Sequence, residues 1–287
     1  MLHLDFLVSL VVLAAVTIIY AAFDVFNKRN VPNVFAYASV ALGLAVTFAF
    51  DFGVLTFSLA MALAVGAVGY AIYRMGFWGA GDFFELVAVS LLLPVQQVPL
   101  LLPQADQLGL PFVLSVFIAT GLAAIWAVPI YYLLLDRRAR VKYGVSKRQI
   151  ALGALMLATY VVLFILICNL YGFSPLRLAI LLSIAVPSSI AIVFEEKITA
   201  GMIRPIFPRE LEEGDMIAVN MMSGKEASRL SKRYKNFGRL VTRKFIEEIK
   251  GAKEKLPVYR NAAPLALFIM IGVAVSVLFG NLILLMM

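Results

Sequence analysis

Apolar runs close to the length that crosses a bilayer, about 20 residues, recur along almost the whole chain, and no other feature constrains the fold as much. In hydrocarbon the backbone has no water to bond, so such runs fold as helices that satisfy their own N–H and C=O groups. Of 287 residues, 62% are hydrophobic and only 15% charged, more oil than a soluble domain of this size can hide. The chain therefore reads as an all-α integral membrane protein, a polytopic helical bundle. Hydropathy predicts about eight spans, near 5–26, 34–50, 55–73, 83–103, 112–135, 150–171, 176–194 and 263–286. The first span lacks a basic flank before it and leads straight into a polar motif, so it is expected to be retained rather than cleaved as a signal peptide.

The net charge of +8 would suit a nucleic-acid partner, but its distribution points to a membrane. Lys28 and Arg29, Arg74, the cluster from Arg137 to Arg148, and the segment from Glu195 to Asn261 hold 24 of the 25 basic residues, all on alternate loops. Only Arg177 falls on the other side. By the positive-inside rule those loops are cytoplasmic, the chain lies in the cell membrane, and both termini face outward. The basic partner surface is then anionic lipid, with no nucleic acid. The lone Cys168 lies in an apolar run and offers neither a disulfide framework nor a metal knuckle, and His3 has no metal-binding company.

Three parts follow: a membrane-embedded core over 1–194, a cytoplasmic α+β segment over 195–261, and a C-terminal transmembrane helix over 262–287. In the segment, Glu210–Asp215 reads as a turn feeding a short strand at Met216–Val219. From Lys225 to Lys255, Leu230, Tyr234, Phe237, Leu240, Val241, Phe245 and Ile249 recur at helical spacing among basic residues. That pattern fits an amphipathic helix, lying either on an anionic membrane surface or under the bundle.

Two carboxyls stand out against this background. Asp24 ends the first span, where the helix dipole disfavours an anion; its ordinary role would be an i,i+4 pair with Lys28. Asp82 opens the fourth span directly after Gly79-Ala80-Gly81, where a helix cap is its ordinary role. Asp5, Asp51 and Asp106 fall at predicted outer ends or loops. The alternation of spans puts Asp24 and Asp82 at one depth in the cytoplasmic leaflet. An ionisable group inside a membrane is a functional candidate by default, and two facing carboxyls can share a proton and activate water. Val31-Pro32-Asn33 supplies an extended entry and a cap for the second span. Tyr20, one turn before Asp24, is placed either to bond it or to anchor at the interface.

Asp24 followed by basic residues and Val31-Pro32-Asn33, with Gly79-x-Gly81-Asp82 several spans later, resembles the prepilin peptidases, the Gly-x-Gly-Asp membrane aspartyl proteases. The stretch from Glu210 to Val219 is similar to the C-terminal region of the archaeal prepilin and preflagellin branch. The resemblance implies an aspartic endopeptidase that removes a short basic leader from type IV pilin or archaellin precursors at the cytoplasmic membrane face. It implies Asp24 and Asp82 as the catalytic pair, supported by Gly79, Gly81, Pro32 and Asn33, with no metal or cofactor. Bacterial relatives carry a Cys-x-x-Cys region and methylate the new amino terminus, which a single cysteine does not support. They also commonly place Lys where this chain has Glu85. That carboxyl is expected among lipid headgroups, the alternatives being repulsion on Asp82 or contact with a basic leader. Two other functions stay open. One is a presenilin-like intramembrane protease, whose Pro-Ala-Leu motif has only Ala263-Pro264-Leu265 to match it here. The other is a proton- or cation-coupled transporter.

Overall fold

The computed structural model describes residues 4–27, 30–50, 52–75, 78–95, 100–101, 110–135, 144–252, 254–259, 263–282 and 284. His3, Lys28, Arg29, Asp51, Asp106, the basic residues from Arg137 to Lys142 and most of the predicted span beyond Val95 lie outside them. In chain order the membrane helices are α1 (Leu4–Phe26), α2 (Asn33–Phe50), α3 (Leu55–Arg74), α4 (Ala80–Leu92), α5 (Phe112–Ile130), α6 (Lys147–Tyr171) and α7 (Pro175–Val193). Then come α8 (Glu195–Met202), β1 (Arg204–Ile206), α9 (Gly224–Arg233), α10 (Arg243–Ile249), β2 (Leu256–Val258) and α11 (Leu265–Phe279). The all-α polytopic membrane fold is therefore the observed one.

Six of these helices, α1, α2, α3, α5, α6 and α7, are long and apolar enough to cross a bilayer. The other two predicted spans are short. α4 has 13 residues and α11 has 15. At about 1.5 Å per residue these reach roughly 20 and 22 Å, against a hydrocarbon core of about 30 Å. α4 was expected to run to 103 and stops at Leu92. The cause is Pro94, whose ring bars the residue before it from helical angles, and Leu93 takes φ −140°, ψ 80°. Thr47 of α2 then donates to the carbonyl of Leu91 at 2.5 Å, satisfying one of the acceptors a helix end leaves open. In α5, Pro129 lacks the N–H that the ladder needs, and the helix continues as a π turn over Tyr131–Leu135.

α4 is the centre of the bundle, packed by α1, α2, α3, α5 and α11. Leu13, Val16 and Tyr20 of α1 meet Leu86, Val89 and Leu92 of α4, with Phe112, Val116, Ile269 and Val273 closing the core. Small residues let the helices approach, as membrane packing requires. A Cβ on Gly69 of α3 would lie 2.5 Å from the Cβ of Phe83. Large apolar side chains such as Val11, Leu63, Leu155 and Leu170 face outward, the side a lipid would cover.

Residues 204–258 build a second core. β1 and β2 pair antiparallel with Ile206 opposite Leu256. The predicted turn is present, with Gly214 at φ 93° and the Asp215 carboxylate accepting from the N–H of Glu212 at 2.9 Å. It feeds not a full strand but two isolated bridges, Met216 to Leu240 and Ile217 to Val258. The single amphipathic helix expected over Lys225–Lys255 is instead α9 and α10, separated where Tyr234 turns extended at φ −121°, ψ 114°. Ser223 and Thr242 cap the two starts. Leu230, Tyr234, Val241, Phe245 and Ile249 are buried in this unit's own core. The helical periodicity thus serves internal packing rather than a membrane surface.

Candidate active site

The two aspartate motifs meet. Val31, just after the α1–α2 turn, lies against the first turn of α4 at Gly81. A Cβ on that glycine would stand 2.8 Å from the Val31 Cγ2, so only glycine admits the contact. Gly79 is held less tightly, its Cβ position being 3.2 Å from Oδ2 of Asp82. Both glycines therefore serve close approach. Pro32 accepts the N–H of Ala36 at 3.1 Å and so occupies the capping position. Asn33, expected as the cap, is the first residue of α2 and exposed.

Asp82 sits in the first turn of α4 and accepts the N–H of Gly79 at 2.8 Å. The capping role is therefore real, and it occupies one carboxylate oxygen. Asp24 is 7% exposed. Its Oδ2 accepts the backbone N–H of Ala266, at the start of α11, at 2.9 Å. The α11 N-terminus thus provides the positive dipole that the end of α1 withholds. Ala263-Pro264-Leu265 leads directly into that donor.

Glu85 was expected among headgroups and is instead completely buried, with no hydrogen-bond partner among the described residues on either carboxylate oxygen. It lies one turn beyond Asp82, on a helix surrounded by other helices, so that face has no lipid to reach. Asp24, Asp82 and Glu85 are close enough for their charges to interact. They do not gather into a coordination shell; among the described residues no three acidic, His or Cys side chains do. Tyr20 neither bonds Asp24 nor anchors at an interface. It is fully buried, and its hydroxyl meets Ser39 Oγ at 2.9 Å. Ser39 spends its own proton on the carbonyl of Ala36 at 2.8 Å, so Tyr20 is the donor. The ring of Phe35 packs edge-on against Tyr20 at 5.0 Å, which ties α1 to α2 beside the site.

Sequence reasoning found Asp24, Asp82 and their glycines and missed Ala266 and the burial of Glu85. No local signal announces a backbone donor 242 positions from its acceptor. A cleft of about 470 Å³ lies elsewhere, lined by Met221, Arg229, Glu254 and Pro257 among others. No curated protein and no solved structure matches the chain. Residues 11–128 match the family model of the type IV leader peptidases. That stretch carries Asp24, Asp82 and Glu85, and through it the chain is similar to the type IV leader peptidase family.

Proposed function

We propose that this chain is an aspartic endopeptidase, with Asp24 and Asp82 as its catalytic pair, that removes the leader from type IV prepilin-like or preflagellin precursors. The observation that carries this reading is the meeting of the two motifs through Val31 and Gly81, with the helices that carry the aspartates, α1 and α4, packed together. In the mechanism, one carboxylate takes a proton from a water molecule as that water attacks the scissile carbonyl. The other carboxyl, protonated, donates to the carbonyl oxygen and stabilises the tetrahedral intermediate. The proton then passes to the leaving amine and the peptide bond breaks. The mechanism needs neither a metal nor a covalent enzyme intermediate.

The basic loops orient the site. With Arg74 and the 195–261 segment inside, the Asp24 end of α1 and the start of α4 face the cytoplasm of a plasma membrane. Residues 1–194 then form the embedded core, 195–261 a cytoplasmic segment and 262–287 the last membrane helix. The test is cleavage of a prepilin and a preflagellin in detergent-solubilised membranes by wild type, Asp24→Asn and Asp82→Asn. Each substitution is expected to lower the rate at least about 1,000-fold with the protein still folded, as loss of a group acting as part of a unit does. Cleavage surviving either change removes that aspartate from the mechanism. Cuts mapped inside a substrate's membrane span would move the reading to intramembrane proteolysis.

A further inference from the structure

The donor to Asp24 lies outside residues 11–128, the stretch that matches the family. Its geometry follows from two helix ends of opposite sign. The last carbonyls of α1 lack intrahelical donors, and the first N–H groups of α11 lack intrahelical acceptors. An anion is unwelcome at the first and welcome at the second. Asp24 stands between them and takes the N–H of Ala266 at 2.9 Å in a buried setting. Pro264, at φ −71°, is the cap residue of α11 and has no N–H of its own, so the donors of this turn begin after it. Ala266 is 1% exposed, and its small side chain lets the two backbones close.

The placement is held from both sides. Ile269 and Val273, one and two turns further along α11, share a core with Leu13, Val16 and Tyr20 of α1. Moving the donor therefore means moving a packed helix, and a packed helix does not drift. A group that must act as base or acid on a bound peptide needs this sort of fixing, since a misplacement of about 1 Å costs on the order of 100-fold in rate.

We propose that Ala266 is a positioning residue: its backbone N–H fixes the Asp24 carboxyl for reaction, making α11 part of the catalytic apparatus. This rests on the reading of Asp24 as catalytic. A brace that only joined α1 to α11 would contribute to stability and leave turnover untouched.

Two measurements on the full-length protein separate these. Ala266→Pro removes the donor at a helix turn that tolerates proline, whereas Ala266→Gly keeps it. Ala266→Pro is expected to lower kcat on a prepilin substrate about 10- to 100-fold with KM within about 3-fold, and Ala266→Gly to stay within about 3-fold of wild type. Wild-type kcat in Ala266→Pro, or an equal loss in Ala266→Gly, overturns the proposal. Hydrogen exchange at the Ala266 amide reads the bond without any assay of activity. That amide has no acceptor within its own helix, so its protection is expected to fall at least about 10-fold in Asp24→Ala while amides deeper in α11 hold theirs. Unchanged exchange also overturns the proposal. Wild type that cleaves no precursor while the exchange result holds would sink the peptidase reading, and the positioning role with it, but not the hydrogen bond.

Discussion

Around α4 the bundle buries Glu85 completely and Asp24 to 7% exposure, in among Leu13, Val16, Leu86 and Val89. The unit at 204–258 is built otherwise. Ile206, Leu211, Ile217, Leu230, Tyr234, Val241, Phe245, Ile249, Leu256 and Val258 fill its core, and none is charged. At its rim Arg229 pairs with Glu254 and Asn236 with Glu248, exposed pairs that each contribute little to stability. The smaller unit shows that this chain folds a core without burying a carboxylate. Buried carboxyls in the bundle are therefore better explained by chemistry than by stability.

That contrast is open to attack from several directions. Phe245→Ala should empty the centre of the small core at a cost of about 3–5 kcal/mol. Limited proteolysis would then open 204–258 while the bundle stays intact. Simultaneous loss of both would make them one cooperative unit and end the comparison. In the bundle, Gly81→Ala forces a methyl against Val31, an overpacking cost of about 1–3 kcal/mol that should also lower leader cleavage about 10-fold. Adding Val31→Ala should restore most of the activity; no recovery would show that the contact is not what joins the two motifs. Glu85→Met keeps the length and drops the unpartnered oxygens. It should raise thermal stability by about 1–2 kcal/mol and lower cleavage, the exchange of activity for stability expected at a functional site. A variant that is neither more stable nor less active would put Glu85 on a par with ordinary packing.

The smallest effect belongs to the rim. Hydrogen bonds from the Ser223 hydroxyl and N–H hold the Glu226 carboxyl below the usual glutamate value. A folded-state value below the unfolded one means that its contribution is complete above the ordinary glutamate range. That contribution disappears as pH falls through the lowered value. Amide exchange at 224–227 should rise on acidification through that window in wild type and stay flat in Glu226→Gln. Equal acid sensitivity in both would remove the capping carboxylate from the account.

What could be read in advance divides along the same line. The long spans were legible because length and hydropathy are local properties. So were Asp24, Gly79, Gly81 and Asp82, because a polar motif inside oil is conspicuous. α4 was overextended since hydropathy continues past Leu92 while Pro94 acts on backbone angles. Glu85 was misplaced because a helix ringed by five others has no lipid face, and only the packing reveals that ring. The periodicity over Lys225–Lys255 was correct and its use was not: helical spacing records which residues are buried, not the surface that buries them.

The bond between Asp24 and Ala266 also bears on time. A chain is made from its amino terminus, at about 5–20 residues per second. With 242 positions between acceptor and donor, roughly 10–50 s separate their synthesis at that pace. For most of that interval both aspartates have been made and the donor has not. A nascent or truncated chain that stops before α11 carries the whole family signature and an unfinished site, so assembly of the last helix doubles as a check that the enzyme is complete.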